Sequence, residues 1–363
     1  MRIRIIILSI SCMSFMSCIN QGAFKAAHWP EADQLFRNDP FWVGGDDAYS
    51  ISIGGDNTLW LFADTAIDTT GSHSRNTATL IRNSIGIQKG LNPSLSDIAY
   101  YWRTDNFKKP GSFFPEKGNE WLWPGHGIFI EDKLIIFLMR VRGIKTGLGF
   151  DVYDWEAVLI PNPKDNPLDW ELRWLNIPRN KFKVIVGSAS VFKLGRHIYA
   201  FCAREGSERH AIYVVRWPIE EIIDGNLYGI EWWDKSSSQW VNQKNLADIP
   251  EPLFLDGQTE FTVHFEKRSN SYICFQTLEF GPSNIYYRTA PSLTGPWSEP
   301  KKIYTPPEVN EPNIMIYAAK AHPHLTGSDI VLTYATNSFE IGDLFTNTSL
   351  YYPRFVKVRM SNK

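Results

Sequence analysis

Five short β-hairpin cores recur along this chain, and their near-regular spacing constrains the fold more than any other feature. In each core, a strand that opens on a small or polar residue meets a tight turn and then an aromatic-rich strand. The cores cover residues 46–63, 126–141, 188–203, 260–278 and 322–335, so successive openings are 62 to 80 residues apart. One hairpin core per unit at such a spacing is typical of radial repetition, and five units predict five blades.

Strand signals run from end to end, whereas helical periodicity is almost absent. Runs rich in Ile, Val, Phe, Tyr and Trp alternate with turn residues, and the only helix-like segment, 219–223, predicts a single turn. A strand at 351–358 is expected to complete the blade of the opposite terminus and so remove an exposed sheet edge. The sequence therefore predicts an all-β fold, a single five-bladed β-propeller over residues 28–360. A two-domain β-sandwich is the alternative.

The first residues predict export. Two arginines within the first four residues precede a short apolar run, which is the pattern of a secretory signal too short to span a bilayer durably. Ser17-Cys18 resembles a bacterial lipobox, so segment 1–17 would be removed and Cys18 acylated, with 18–27 as a flexible tether. The protein would then be lipid-anchored in the bacterial cell envelope, at the outer membrane on its periplasmic or surface face. Ordinary secretion is the alternative.

Composition narrows the classes of function. The net charge is −2 and the basic residues are scattered, so the electrostatic footprint of a nucleic-acid binder is missing. Phosphate-binding loops and a Gly-x-Ser-x-Gly motif are also missing, which disfavours nucleotide chemistry and serine hydrolysis. Cys202 and Cys274 lie in apolar runs, where buried small side chains are expected and an exported disulfide is the alternative. No cysteine metal site is predicted.

Four carboxylates stand where inner strands open or an apolar strand ends. Asp46 and Asp47 follow two glycines at the first opening, and alternation along a strand predicts that they face opposite sides. Asp64 directly follows an apolar strand. Glu260 opens the fourth inner strand in the register that Asp46 holds in the first, so both should face one pocket at the axis. For each of them, capping of backbone amides is the alternative.

Histidines and tryptophans supply candidate sugar contacts. His126 and His322 open the second and fifth inner strands, where a histidine can contact sugar hydroxyls, tune a carboxylate or help hold a cation. A satisfied core histidine is the alternative for each, and two histidines without a third ligand do not make a zinc site. The other candidate substrate contacts are Asp47, Trp121, Trp123, Trp155, Glu156 and Arg204, with Glu205 beside them. Surface charge and ion pairs are the alternative for the charged members.

The motifs Gly-Gly-Asp-x-Ala-x-Ser at 44–50 and Leu-Trp-Leu-Phe-x-Asp-Thr at 59–65 carry a family resemblance. They resemble the opening of the five-bladed propeller lipoproteins grouped as domain-of-unknown-function family 4185, which includes endo-D-arabinanases. That group looks like a distant cousin of the arabinanase and xylosidase clan. Motifs near the other end agree, at 294–297, 319–323 and 352–355. The resemblance implies that Asp46, not Asp47, is the site aspartate, and Ala63 stands where the family tends to have glycine.

Glycoside cleavage needs one carboxylic acid and one carboxylate as base or nucleophile. Together with the resemblance, the residues predict a glycoside hydrolase with Asp46 as nucleophile or base and Glu260 or Asp64 as acid. Its substrate would be a polysaccharide or oligosaccharide, arabinan or another furanose-rich glycan. No cofactor is required, although the resemblance to related propellers leaves room for a structural calcium in the channel. We expect a monomer that meets the membrane only through its lipid anchor.

Two other functions fit the same sequence. A propeller face without turnover would make the chain a non-catalytic glycan-binding lipoprotein of a carbohydrate uptake system. A scaffold that binds a partner protein would show no affinity for soluble glycans.

Overall fold

Each hairpin core belongs to an antiparallel sheet, and five such sheets follow one another around a common axis. The computed structural model of the protein describes residues 24–205, 209–279 and 281–360. The expected signal segment 1–17, the acylation site Cys18 and residues 18–23 of the expected tether lie outside the described residues. The predicted five-bladed β-propeller is confirmed.

The first blade follows a strand and a short helix at the N-terminal end of the described chain. That lead-in consists of β1 (Phe24–His28), α1 (Pro30–Asp33) and a 3-10 turn at Gln34–Phe36. The first blade contains β2 (Trp42–Gly54), β3 (Asn57–Ile67), β4 (Thr79–Ile81), β5 (Ser84–Lys89) and β6 (Asp97–Tyr101), with a 3-10 turn at Arg75–Thr77. A separate small hairpin follows, made of β7 (Arg103–Thr104) and β8 (Pro110–Gly111).

The second and third blades repeat the pattern with additions at the outer edge. The second contains β9 (Glu120–Ile130), β10 (Lys133–Gly143), β11 (Phe150–Ile160) and β12 (Arg173–Trp174), with a 3-10 turn at Pro167–Asp169. The third contains β13 (Ile185–Leu194), β14 (His197–Arg204), β15 (His210–Pro218), α2 (Ile219–Ile223), β16 (Glu231–Asp234), β17 (Gln239–Asn242), a 3-10 turn at Gln243–Asn245 and β18 (Phe254–Gly257). The helix α2 has the bounds predicted from the sequence.

The last two blades close the ring. The fourth contains β19 (Thr262–Glu266), β20 (Ser271–Gln276), β21 (Ile285–Ala290) and β22 (Lys301–Tyr304), followed by a 3-10 turn at Pro307–Asn310. The fifth contains β23 (Ile314–Ala321), β24 (Ile330–Ser338), α3 (Asp343–Thr346) and β25 (Arg354–Met360), and β1 is its outermost strand. The inner strands of neighbouring blades contact one another around the ring, so β2 meets both β9 and β23.

Closure joins the two ends of the chain. β1 pairs with β25 in antiparallel register from Phe24 opposite Met360 to His28 opposite Val356. The predicted terminal strand is therefore the third strand of the last blade, and the strand from the other terminus is the fourth. The propeller begins at Phe24, inside the segment 18–27 that was expected to be a tether.

The fifth hairpin lies earlier than predicted. Its inner strand was expected to open at His322, but β23 ends at Ala321 and His322 follows it in the turn to β24. The inner strand contains the run Ala318-Ala319-Lys320-Ala321, and alanine and lysine are depleted in strands. The local signal for β23 is weak for this reason.

Aromatic and aliphatic side chains fill the spaces between the blades. Phe137, Trp155 and Trp217 pack together between the second and third blades. Cys202 and Cys274 are free thiols buried in separate clusters, so the expected burial is confirmed and the alternative, a disulfide between them, is wrong. Among the helices of the described residues, none has both the length and the apolar character needed to cross a membrane.

Candidate active site

A bulge in β2 directs Asp46 and Asp47 toward the fifth blade. Asp47 and Ala48 both have positive φ, 71° and 62°, and the β2–β3 register shifts on either side of Asp47. A bulge of this kind breaks the strand alternation. Asp46 consequently contacts Tyr317 and Asp47 contacts Lys320, both on β23. The expectation that the two aspartates face opposite sides is wrong.

The carboxyl group of Asp46 is held by one hydrogen bond. Tyr317 donates its hydroxyl to Asp46 Oδ2 at 2.6 Å, while Oδ1 is buried without a partner. Burial raises the pKa of Asp46 well above its usual value, and the nearby carboxylates of Asp64 and Glu260 raise it further. The Tyr317 hydrogen bond opposes this shift without reversing it. Asp46 therefore favours its protonated form.

Lys320 joins Asp47 to Glu260. Its ammonium lies 2.7 Å from Asp47 Oδ1, 2.7 Å from the Asp47 carbonyl oxygen and 2.9 Å from Glu260 Oε1. Burial would raise the pKa of Glu260, but the Lys320 ammonium and a hydrogen bond from Asp47 together outweigh burial and hold that pKa below its usual value. The pKa of Asp47 moves the other way, because its burial outweighs the effect of Lys320. The cluster thus contains an ionised Glu260 beside a buried Asp47.

Asp64 lies close enough to Asp46 to act on its pKa, and it orients two neighbours. Its Oδ1 accepts a hydrogen bond from Trp123 Nε1 at 2.9 Å, and its Oδ2 accepts one from Arg82 at 3.1 Å. The Arg82 guanidinium stacks 4.2 Å from the centre of the Trp121 ring. Tyr351 donates its hydroxyl to the Asp64 carbonyl oxygen at 2.8 Å. Burial raises the pKa of Asp64 to about 6 despite the opposing Arg82.

The two histidines form a deeper layer that joins four blades, the first, second, third and fifth. His126 Nδ1 accepts from the Val191 amide at 2.8 Å, so Nε2 carries the proton and donates to the Ser50 carbonyl oxygen at 3.2 Å. His322 contacts the hydroxyls of Ser50 and Thr333 at 2.6 and 2.8 Å. Burial lowers the pKa of His126 to about 4 and that of His322 well below its usual value. All four ring nitrogens of His126 and His322 have protein partners, which leaves none for a sugar hydroxyl. Both histidines therefore stabilise the core, as in the alternative interpretation, and do not provide the expected sugar contact.

The remaining predicted contacts divide between core and surface. Trp155 is 1% exposed and packs against Phe137 in the core, so it is not a sugar platform. Glu156 lies 3.4 Å from Arg140 in an ion pair, and Arg204 is exposed. Glu205 accepts a hydrogen bond from Thr259, the residue before Glu260, and the charge of Glu260 acts on its pKa. Among these residues, Glu205 lies beside the cluster.

The structure adds site residues that the sequence analysis missed. These are Tyr317, Lys320, Arg82 and Tyr351. Lys320 did leave a signal, because a charged residue in an otherwise apolar inner strand needs a buried partner. Arg82 and Tyr351 left none, because each reaches the site from a different part of the chain.

A structural calcium in the channel is the metal for which the resemblance leaves room. Within the described ranges, no group of three or more His, Cys, Asp or Glu side chains has the arrangement to hold a metal ion. The positive charge in the carboxylate cluster comes from Lys320. Calcium binding stays a prediction from the resemblance.

Comparisons with known proteins agree with this architecture. A family model described as a domain of unknown function (DUF5005) matches residues 31–361. No curated protein matches the chain. A structure of a candidate hydrolase from Bacteroides ovatus has a TM-score of 0.74 at 16% identity, covering 93% of this chain and 91% of that chain. At this identity the likeness shows the fold alone.

Other solved structures are less similar. An endo-arabinase from Bacteroides thetaiotaomicron has a TM-score of 0.48 at 12% identity, covering 88% of this chain and 96% of that chain. The catalytic domain of a GH62 alpha-L-arabinofuranosidase from Coprinopsis cinerea has a TM-score of 0.46 at 10% identity, covering 87% of this chain and 90% of that chain. The resemblance to family 4185 that the motifs suggest stays a prediction.

Proposed function

The chain belongs to the family described as domain of unknown function (DUF5005), and we propose that this member is a glycoside hydrolase acting on polysaccharides or oligosaccharides. One observation carries the proposal. Asp46 and Glu260 come from the first and fourth blades, and β23 holds both through Tyr317 and Lys320. Their pKa values are displaced in opposite directions. Such a separation assigns an acid and a base among carboxyl groups, which is the pair that glycoside cleavage uses.

The roles follow from the protonation states. Asp46, in its protonated form, donates its proton to the oxygen of the leaving sugar. Glu260, in its ionised form, either accepts a proton from the attacking water or attacks the sugar carbon itself. This assignment reverses the roles expected from the sequence, in which Asp46 was the base or nucleophile. Asp64 is the second candidate acid, with a pKa of about 6, although Trp123 and Arg82 already engage both its oxygens.

Sugar binding is assigned to the aromatic side of the mouth. Trp121 and Trp123 have ring centres 6.1 Å apart, and Trp123 is hydrogen-bonded to Asp64. An indole face suits the flat C–H surface of a furanose or pyranose ring. The furanose-rich glycans suggested by the motif resemblance, with arabinan as the first choice, are the proposed substrates.

The experiment is a product survey with matched variants. The protein without residues 1–17 is incubated with a panel of plant and bacterial polysaccharides, and released sugars are separated by chromatography. Asp46→Asn and Glu260→Gln should each lower product release by about 100-fold to 10,000-fold while glycan affinity is largely kept. Glu171→Gln, at an exposed ion pair with Arg173, is the control and should leave release unchanged.

Two outcomes would count against the proposal. Undiminished hydrolysis in both site variants would remove this pair from the reaction. Glycan binding without any product, in the unsubstituted protein, would favour the non-catalytic binding function instead.

A further inference from the structure

We propose that Asp47 and Lys320 are positioning residues that keep Glu260 ionised and directed into the channel. The pair is almost completely shielded from solvent: the side chain of Lys320 is 0% exposed and that of Asp47 is 1% exposed, whereas that of Glu260 is 22% exposed. The catalytic consequence rests on the proposed function. The arrangement of charges does not depend on the proposed function, and it can be tested separately.

The ammonium group has a complete set of protein partners. Three oxygens lie within 2.9 Å of Nζ, two of them from Asp47 and one from Glu260. The ring of Tyr49 covers a further side, with its centre 4.2 Å from Nζ. A buried ammonium is costly unless it is paired and hydrogen-bonded. Lys320 is therefore a fixed positive charge behind Glu260 and not a surface ion pair that water can screen.

The backbone of β2 is shaped to bring Asp47 to this ammonium. Asp47 and Ala48 both adopt left-handed φ values, a conformation that non-glycine residues keep only where the surroundings enforce it. Lys320 contacts both the side chain and the carbonyl oxygen of Asp47, and so fixes the residue at two points. Residues in ordinary strand geometry would alternate, and Asp47 would then face away from Asp46's side of the strand.

The Lys320 ammonium faces two carboxyl groups, those of Asp47 and Glu260. One positive charge can compensate only one negative charge, so the location of a proton decides which carboxyl group is ionised. Lys320 from β23 and Asp47 from β2 act on the pKa of Glu260. The charge of Glu260 acts in turn on Asp46 and Tyr49 of β2 and on Glu205, which follows β14. A proton is best placed on the carboxyl group with the least access to water, which is Asp47. With Asp47 neutral, Lys320 compensates Glu260 alone.

The first test uses pH profiles of hydrolysis. Lys320→Met should shift the acid limb of kcat/KM upward by about one pH unit and lower kcat by about 100-fold, with KM little changed. Asp47→Asn should keep activity within about tenfold, because an amide imitates a neutral carboxyl group, whereas Asp47→Ala should not. Lys193→Met, at an exposed site on another inner strand, is the control.

Particular results would overturn the proposal. An unshifted acid limb in Lys320→Met would show that Lys320 does not govern Glu260. Loss of activity in Asp47→Asn as deep as in Glu260→Gln would place the reacting charge on Asp47.

The second test needs no substrate, so it separates this proposal from the proposed function. Lys320→Met leaves Glu260 without its counter-charge and should lower Tm by about 5 °C or more. Adding Glu260→Gln to Lys320→Met should recover part of that loss, because the uncompensated charge is removed. Strictly additive effects, or a double variant no more stable than Lys320→Met, would refute the pairing. If no glycan is cleaved but the coupling is present, the proposed function fails and the positioning pair stands.

Discussion

The hydroxyl of Tyr317 lies 2.6 Å from Asp46 Oδ2, so a phenol of the fifth blade holds a carboxyl group of the first. Asn337 donates in turn to the Tyr317 oxygen at 3.4 Å. The hydrogen bond from Tyr317 favours the ionised form of Asp46. Burial opposes it and raises the pKa of Asp46 more strongly than the hydrogen bond lowers it. The acidity of Asp46 is thus set by a balance that one substitution can change.

Tyr317→Phe should make Asp46 a weaker acid. Removing the hydroxyl removes a contribution that lowers the pKa of Asp46, so that pKa rises further. The alkaline limb of kcat/KM is expected to move to higher pH, with kcat reduced about tenfold. Tyr228→Phe, at an exposed position in the third blade, should change neither quantity. An unmoved alkaline limb would argue that Asp46 is not the proton donor.

Buried neutral histidines predict a loss of stability in mild acid. Burial lowers the pKa of His264 to about 4, and its Nδ1 has no partner, so its ring can be replaced without losing a hydrogen bond there. The unfolded chain binds a proton near pH 6.5, so stability is full above that pH and falls as pH drops toward 4. His264→Phe should therefore gain about 2 kcal/mol at pH 5 relative to its effect at pH 7.5.

The measurement compares the variant with the unsubstituted protein by thermal or denaturant unfolding at both pH values. The comparison with the unsubstituted protein is needed because Asp64 changes the pH dependence of stability in the opposite direction to His264. Its pKa is raised to about 6 on folding, so its contribution is present at low pH and is lost as pH rises through 6. An equal effect of His264→Phe at pH 5 and pH 7.5 would contradict the prediction.

The bulge predicts an unusual response to glycine. Ala48 is buried with a φ of 62°, so Ala48→Gly should leave the free energy of unfolding unchanged or raise it. Ala48→Val should lower it by about 2 to 4 kcal/mol, because a β-branched side chain is strained in this conformation. Ala200→Gly, in the regular strand β14, is the matched control and should cost about 1 kcal/mol. Destabilisation by Ala48→Gly equal to that of Ala200→Gly would argue against the left-handed geometry.

Two tryptophans that look alike in the sequence should differ in their effects. Trp155→Phe should lower the free energy of unfolding by about 1 to 3 kcal/mol, because the indole is packed in the core. Trp123→Phe removes the hydrogen bond to Asp64 and should weaken glycan binding with a smaller effect on stability. Unfolding curves and glycan titrations of both variants test this, and a reversed pattern would contradict the assignment.

Much of this arrangement follows from local sequence, because inward-facing residues of repeated hairpins must converge on the axis. This rule predicts that Asp46 and Glu260, which lie in distant segments of the chain, belong to one cluster. It failed at Asp47, because the alternation rule assumes a regular strand, whereas Asp47 and Ala48 have positive φ and interrupt the β2–β3 register. It also failed at His126 and His322, whose residue type was noticed but whose partners, Ser50, Val191 and Thr333, come from other strands.

The strand β1 also decides how the molecule is presented to its surroundings. Strand directions alternate across the fifth blade from β23 through β24 and β25 to β1, so β1 runs opposite to the inner strands. Inner strands start at the mouth that contains Asp46, and Phe24 therefore sits on the underside, beside Met360. If Cys18 is acylated as the sequence predicts, the lipid anchor is attached to the chain six residues before Phe24, on the side of that underside. The end of the propeller that contains Asp46 then faces away from the lipid, toward polymers that arrive from solution.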